Sequence, residues 1–253
     1  MENIRVMTYN IQHGEGLDGR VDIERIAAVI RAAQADIVAL QEVDRGVERS
    51  HRIDTMVALS ELTGIMKWAF GRNIDYQGGD YGNGVLTRFP ILHEQNLHYQ
   101  MIRSNEQRGL LHLVLEMDGT ELVVMNTHMD FRPDDTERLL NVKEICAVAE
   151  QYAPRPMIAC GDFNTTPESR TVSLMKEGSF DDVWELVGVG EGATIPVSNP
   201  TKRIDYIFAC ELSRQKRNVI SDLRLKPISA RVVHADASDH LPVVAEFQLC
   251  RST

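Results

Sequence analysis

Five apolar runs in this chain end on, or carry near one end, a polar residue that a hydrophobic core rejects. The run from Ile4 stops at Asn10, and Ile37-Val38-Ala39-Leu40 is followed by Gln41-Glu42. Leu122-Val123-Val124-Met125 leads into Asn126-Thr127-His128, and Ile158-Ala159-Cys160 leads into Gly161-Asp162-Phe163-Asn164. A further strand carries Asp205, and Ser238-Asp239-His240 precedes the last apolar run. An ionised carboxylate at the end of a buried run costs several kcal/mol unless it is paired or bound to metal. One such residue is explained by a capped loop or an ion pair. The whole set points to one site assembled at strand ends.

The runs also constrain the fold. Residues 4–11 alternate in the manner of a strand, and residues 37–40 form a short continuous apolar run, as in a strand buried on both faces. Asp22 caps a predicted helix to about Ala33, with Ile23, Ile26, Ala27 and Ile30 on one face. A second helix over 55–62 closes at Gly64. Strands are expected at 66–70, 85–87, 111–117, 121–126, 156–160, 203–209 and 243–249. Asp118-Gly119 reads as a hairpin turn, and residues 136–152 give the longest helical pattern. Tyr81-Gly82-Asn83-Gly84 reads as a tight turn. No repeat, low-complexity tract or linker interrupts the alternation, so residues 1–253 are expected to form one domain. Two sheets face to face, flanked by helices, accommodate this count of elements.

Bulk properties narrow the function. Hydrophobic residues make up 43% and charged residues 25%, enough for a core without disulfides or a structural metal. The four cysteines show no CxxC or CxxH spacing of a zinc site. The net charge of -10 does not attract polyanions from a distance. The densest basic run, Arg214-Gln215-Lys216-Arg217, reads as a solvated turn. The N-terminal residues lack a signal-peptide pattern, and no 18-residue apolar stretch exists, so a cytoplasmic location without a membrane span is expected.

Thr8-Tyr9-Asn10-Ile11, Leu40-Gln41-Glu42-Val43-Asp44, Asn126-Thr127-His128, Gly161-Asp162-Phe163-Asn164, Arg203-Ile204-Asp205-Tyr206 and Ser238-Asp239-His240 stand in the order of a known motif set. In this the chain resembles the endonuclease/exonuclease/phosphatase superfamily of DNase I-like proteins. The similarity is strongest to a bacterial-type branch of metal-dependent hydrolases. The resemblance implies an α/β fold: a four-layered α/β/β/α sandwich with two mostly antiparallel sheets. It also implies hydrolysis of a phosphoester bond with Mg²⁺ or Mn²⁺ as cofactor.

Site roles follow from the same resemblance, together with ligand chemistry. Asn10, Glu42 and Asp239 offer the hard oxygens such a cation prefers. Asp162 and Asn164 resemble the pair that activates water and holds a phosphoryl oxygen. His240 resembles the family histidine beside the scissile phosphate, with Asp205 as its carboxylate partner; His128 would contact phosphate or assist the leaving group. Either Asp162 or His240 is the general base. Arg108, Asn83 and His13 are candidate substrate contacts, and Arg49 and Arg203 read more readily as ion pairs.

The expected substrate is a small organic or lipid-headgroup phosphodiester or phosphomonoester. The alternatives are a DNA or RNA nuclease and a catalytically inactive binding module. No Lys/Arg-rich insertion with interleaved aromatics is present to grip nucleic acid.

Overall fold

A computed structural model describes residues 3–117, 119–210 and 223–251. The strands are β1 (Asn3–Asn10), β2 (Ile37–Arg45), β3 (Lys67–Tyr76), β4 (Gly79–Thr87), β5 (Ile91–His98), β6 (Gly109–Met117), β7 (Thr120–His128), β8 (Met157–Asp162), β9 (Phe180–Asp182), β10 (Asp205–Cys210), β11 (Leu223–Val232) and β12 (Val243–Arg251). The helices are α1 (Ile23–Ala33), α2 (Thr55–Thr63), α3 (Thr136–Tyr152), α4 (Arg170–Glu177) and α5 (Val183–Val187).

The strands form two six-stranded sheets, ordered β11-β12-β1-β2-β4-β3 and β5-β6-β7-β8-β10-β9. Each sheet has one parallel pair at its centre, β1 with β2 and β7 with β8, and every other pairing is antiparallel. The sheets bury Val6, Ile37, Ala39, Leu113, Val124, Ile158 and Phe247 between them. α1 and α2 cover the outer face of the first sheet through Ile26, Ile30, Met56 and Leu59. α3 and α4 cover the second through Val142, Ile145, Val172 and Met175. The four-layered sandwich is therefore present.

Local chemistry accounts for the helix ends. Asp22 accepts the Arg25 amide at the start of α1, and Asp54 accepts that of Val57 at the start of α2. Gly64 ends α2 in the left-handed region at φ 72°.

Several strands depart from expectation, among them the short β9, which was not expected. Residues 81–84 are not a turn but lie within β4. Gly82 is required there because a Cβ would lie 2.0 Å from the Gly71 carbonyl oxygen across the β3–β4 pair. β5 has a largely exposed sequence on a sheet edge, so it lacks the alternation that reveals a half-buried strand. β11 is likewise an edge strand, bulged between Pro227 and Ser229. Met117 pairs with Thr120 across the expected hairpin, while Asp118 and the basic run 214–217 lie outside the described residues.

Candidate active site

The two parallel pairs run in register to the same end of the sandwich. Asn10 ends β1, paired with Gln41 of β2, and His128 ends β7, paired with Asp162 of β8. Asp205 begins β10 directly opposite Asp162. Ser238, Asp239 and His240 lie on the loop before β12, tied down by the Ser238 hydroxyl donating to the Asn10 carbonyl at 2.8 Å.

Backbone irregularities aim these side chains. β2 bulges between Leu40 and Val43, and Glu42 sits in the bulge with φ 58°. A left-handed non-glycine residue costs of the order of 1 kcal/mol or more and needs surrounding support. That support is a polar bridge between the sheets. Asn126 donates to the carbonyls of Leu40 and Gly84, both at 2.8 Å, and Gln41 donates to Asn126 Oδ1 at 2.7 Å and to the Thr8 hydroxyl. Gly161 has φ 147°, and a Cβ there would lie 1.9 Å from the Thr127 carbonyl oxygen. Only glycine lets β8 approach β7 closely enough to set Asp162 beside His128.

Asp162 is the hub. It is 1% exposed. Its Oδ1 accepts the Asn164 amide at 2.9 Å, and its Oδ2 accepts Asn10 Nδ2 at 3.1 Å. Nε2 of His128 lies 3.5 Å from that Oδ2, and Nε2 of His240 lies 3.7 Å from it. Burial pushes the Asp162 carboxyl up to about 7; the nearby His240 charge opposes the rise and Asp205 adds to it.

His240 Nδ1 lies 2.9 Å from Asp205 Oδ2, which also accepts the buried Thr194 hydroxyl at 2.6 Å. Burial disfavours the imidazolium, but the charges of Asp205 and Asp162 outweigh it and raise His240 to about 10. His128 goes the other way. Burial, then the Arg108 and His240 charges, hold it well below the usual histidine range. Arg108 Nη1 lies 3.1 Å from His128 Nδ1 and 2.7 Å from Glu106 Oε1.

Glu42 and Asp239 are half-buried, and among the described residues neither has a lysine or arginine partner. Glu42 accepts Asn10 Nδ2 at 3.0 Å, and Asp239 accepts the Ser238 hydroxyl at 3.3 Å. Each is a carboxylate without a cation, the kind of hard oxygen ligand that a divalent metal ion takes. Asn10 fits less directly, because its Oδ1 takes the Gln12 amide at 3.1 Å while its Nδ2 spaces Glu42 from Asp162. The ligand atoms of Asp162, Asp205 and His240 also lie within 4.8 Å of one another, a spacing open to metal. In this structure Asp205 and His240 serve each other.

Asn164 joins the hub through its backbone, has φ 50°, and donates its side-chain amide to the Met129 carbonyl at 3.0 Å. Asn83 lies between the sheets. It is 1% exposed and spends its amide on the Gly109 carbonyl at 3.2 Å, a bond from one sheet to the other. His13 is buried on a left-handed turn, with Nε2 3.4 Å from Glu15 and Nδ1 without a partner. Arg49 is held by both oxygens of Asp44 and stacked near Tyr76 and Tyr81. Arg203 is held by Asp182 inside the fold.

Sequence reading missed Thr194, the Asn126–Gln41 bridge and Arg138. The last is 2% exposed and donates to the carbonyls of Asp130, Arg132 and Asp134, fixing the loop after His128. The one signal for Asn126 was a second polar residue two places before His128, on the inward face of an apolar strand.

The sequence model described as "Endonuclease/Exonuclease/phosphatase family" matches residues 7–240. The YbhP protein of Escherichia coli strain K12 is 27% identical, over 98% of this chain and 97% of that protein. An endonuclease/exonuclease/phosphatase structure from Beutenbergia cavernae is 26% identical with a TM-score of 0.72, over 98% of this chain and 72% of that one. A mannosyl-6-phosphatase of Bacteroides thetaiotaomicron superposes with a TM-score of 0.77 over 98% of this chain and 99% of that one. At 17% identity that likeness is one of fold alone.

Proposed function

The chain belongs to the endonuclease/exonuclease/phosphatase family of phosphoester hydrolases, and we propose that it cleaves a small organic phosphomonoester or phosphodiester. One observation carries the choice of a small substrate. Among the described residues, many arginines in loops and at element ends are already paired. Arg20, Arg25, Arg45, Arg49, Arg52, Arg103, Arg108, Arg132, Arg138 and Arg203 each lie 3.7 Å or less from a carboxylate. A nucleic-acid backbone needs a track of available cations, and a net charge of -10 adds repulsion at a distance.

The chemistry divides among the clustered side chains. Glu42 and Asp239 would hold a divalent cation, which would supply charge neutralisation on the phosphoryl group. Asp162 accepts the proton of the attacking water. Burial raises the Asp162 carboxyl above the usual carboxylate range, which suits a proton acceptor, whereas the carboxylates of Asp205 and Asp162 favour the imidazolium of His240, which has no lone pair to offer. His240 instead places positive charge beside the developing negative charge. His128 and the backbone-anchored Asn164 border the same oxygens.

Purified protein with Mg²⁺ or Mn²⁺ should hydrolyse members of a panel of sugar, polyol and lipid-headgroup phosphoesters and leave plasmid DNA intact. Chelation should abolish turnover, and Glu42→Gln should raise the metal concentration needed for it by at least about tenfold. Efficient nicking of plasmid at low enzyme concentration, with the phosphoesters untouched, would replace this reading with a nuclease. Full activity in chelator would remove the metal assignment.

A further inference from the structure

We propose that Arg108 is a positioning residue, whose guanidinium fixes His128 as a neutral ring with its proton on Nε2. His128 then works as a fixed hydrogen-bond donor beside Asp162 and not as an acid. The role in turnover rests on the phosphoester-hydrolase reading; the tautomer itself does not.

The argument begins with what a guanidinium can do. It has donors only and stays charged under all ordinary conditions. Arg108 Nη1 lies 3.1 Å from His128 Nδ1, so Nδ1 must accept. A ring that accepts at Nδ1 carries its one proton on Nε2. That nitrogen faces Asp162 Oδ2 at 3.5 Å, an acceptor, so both sides of the ring agree on the same tautomer.

Arg108 is itself held in place. It stands immediately before β6, whose Leu110 pairs with Thr127, the neighbour of His128 in β7. Its carbonyl accepts the Tyr99 amide at 3.0 Å, and Glu106 neutralises its charge at 2.7 Å. Arg108 is 7% exposed and His128 4%, so water does not compete for the contact. A carboxylate in the place of Arg108 would draw a second proton onto the ring, as Asp205 does for His240. The same buried position with a guanidinium forbids it.

The direct test reads the ring. In ¹⁵N-labelled protein at neutral pH, the His128 imidazole, assigned by its loss in His128→Gln, should show a protonated Nε2 and a bare Nδ1. Arg108→Met should weaken that preference and admit a second proton at Nδ1 at higher pH than in wild type, and Arg108→Lys, which keeps a cationic donor, should reverse part of this. On a hydrolysed phosphoester, Arg108→Met should lower kcat about 10- to 100-fold with KM changed less than about threefold. Arg108→Lys should recover some of that loss. A wild-type ring with its proton on Nδ1, or with two protons at neutral pH, overturns the proposal. So does an Arg108→Met enzyme whose KM rises at unchanged kcat, the mark of a direct phosphate contact. If no phosphoester is turned over, the proposed function fails while the spectrum still decides the tautomer. Should Arg108→Met not fold, the wild-type spectrum alone decides.

Discussion

His240 and His128 reach the same oxygen of Asp162 from different sheets, and they arrive in opposite charge states. Both are buried, at 8% and 4% exposure, so desolvation alone would leave both neutral. The difference lies behind the ring. His240 turns Nδ1 to the Asp205 carboxylate and is held as a cation; His128 turns Nδ1 to the Arg108 guanidinium and is held neutral. The residue touching the far nitrogen, and not the depth of burial, decides what each histidine offers the substrate. One supplies charge and the other supplies a directed N–H.

The largest effect should come from breaking the charged side of this pair. Asp205→Asn keeps the shape but removes the charge, and kcat should fall about a thousand- to ten-thousand-fold. His240→Ala should cost a similar factor. The double mutant should be scarcely worse than either single mutant, because the two act as one unit. Losses that multiply would show that Asp205 and His240 work independently.

Substitution by glutamine separates the two histidines. A glutamine amide keeps a neutral N–H and loses the capacity for charge. His128→Gln should therefore retain activity within about tenfold to a hundredfold of wild type, the scale of a lost donor or acid-base group. His240→Gln should be as damaged as His240→Ala. Equal damage from glutamine at both positions would mean that His128, too, acts through a second proton.

How much of this was visible in the chain follows from what each residue does to its own run. Asn10, His128, Asp162 and Asp205 were legible because each is a polar side chain at the end of an apolar strand, where a core offers no reason for it. Their convergence followed from strand order, which the motif series carried. The partners of the histidines were only half legible. Asp205 was identifiable as a partner by resemblance, whereas Arg108 suggested a phosphate contact, since sequence does not tell whether a guanidinium faces solvent or a ring nitrogen. For the same reason the inter-sheet bond of Asn83 was not legible: an amide between glycines reads as a ligand contact, and in the fold it also spans two sheets. β5 went unread because its largely exposed sequence leaves no period-two pattern, and β9 and β11, also at sheet edges, were not singled out.

A smaller effect concerns stability and pH. The folded protein raises His240 from the ordinary 6.5 to about 10, so it binds that proton more tightly than the unfolded chain does. The resulting stabilisation is fully present below pH 6.5 and is lost as pH rises through about 10. Asparagine at 205 removes the principal attraction, so the loss should begin at lower pH. Melting temperatures in chelator should show wild type above Asp205→Asn near pH 7, with the gap closing towards pH 10. A gap of about 2–4 °C corresponds to 1 kcal/mol in a chain of this size. A gap that is constant with pH would remove the charge from the explanation and leave only a lost hydrogen bond.

The smallest expected effect is the one with salt, and it tests whether the site sees one phosphate or many. Each phosphate neutralised on a duplex contributes about 0.9 to the slope of log K against log salt. A protein making six to ten such contacts loses about 10³ to 10⁵ in affinity between 50 and 200 mM salt. An enzyme whose Arg25, Arg49, Arg103 and Arg203 are occupied by Asp18, Asp44, Asp134 and Asp182 has little left to offer beyond the single phosphoryl group being cleaved. Over the same fourfold range in salt, one contact changes kcat/KM by about three- to fourfold at most. His240, as a buried cation paired with Asp205, is screened less than any surface charge, which flattens the dependence further. A steep slope, equivalent to several phosphates, would mean that the loop ion pairs open to receive a polyanion. The charged histidine would then be serving a nuclease.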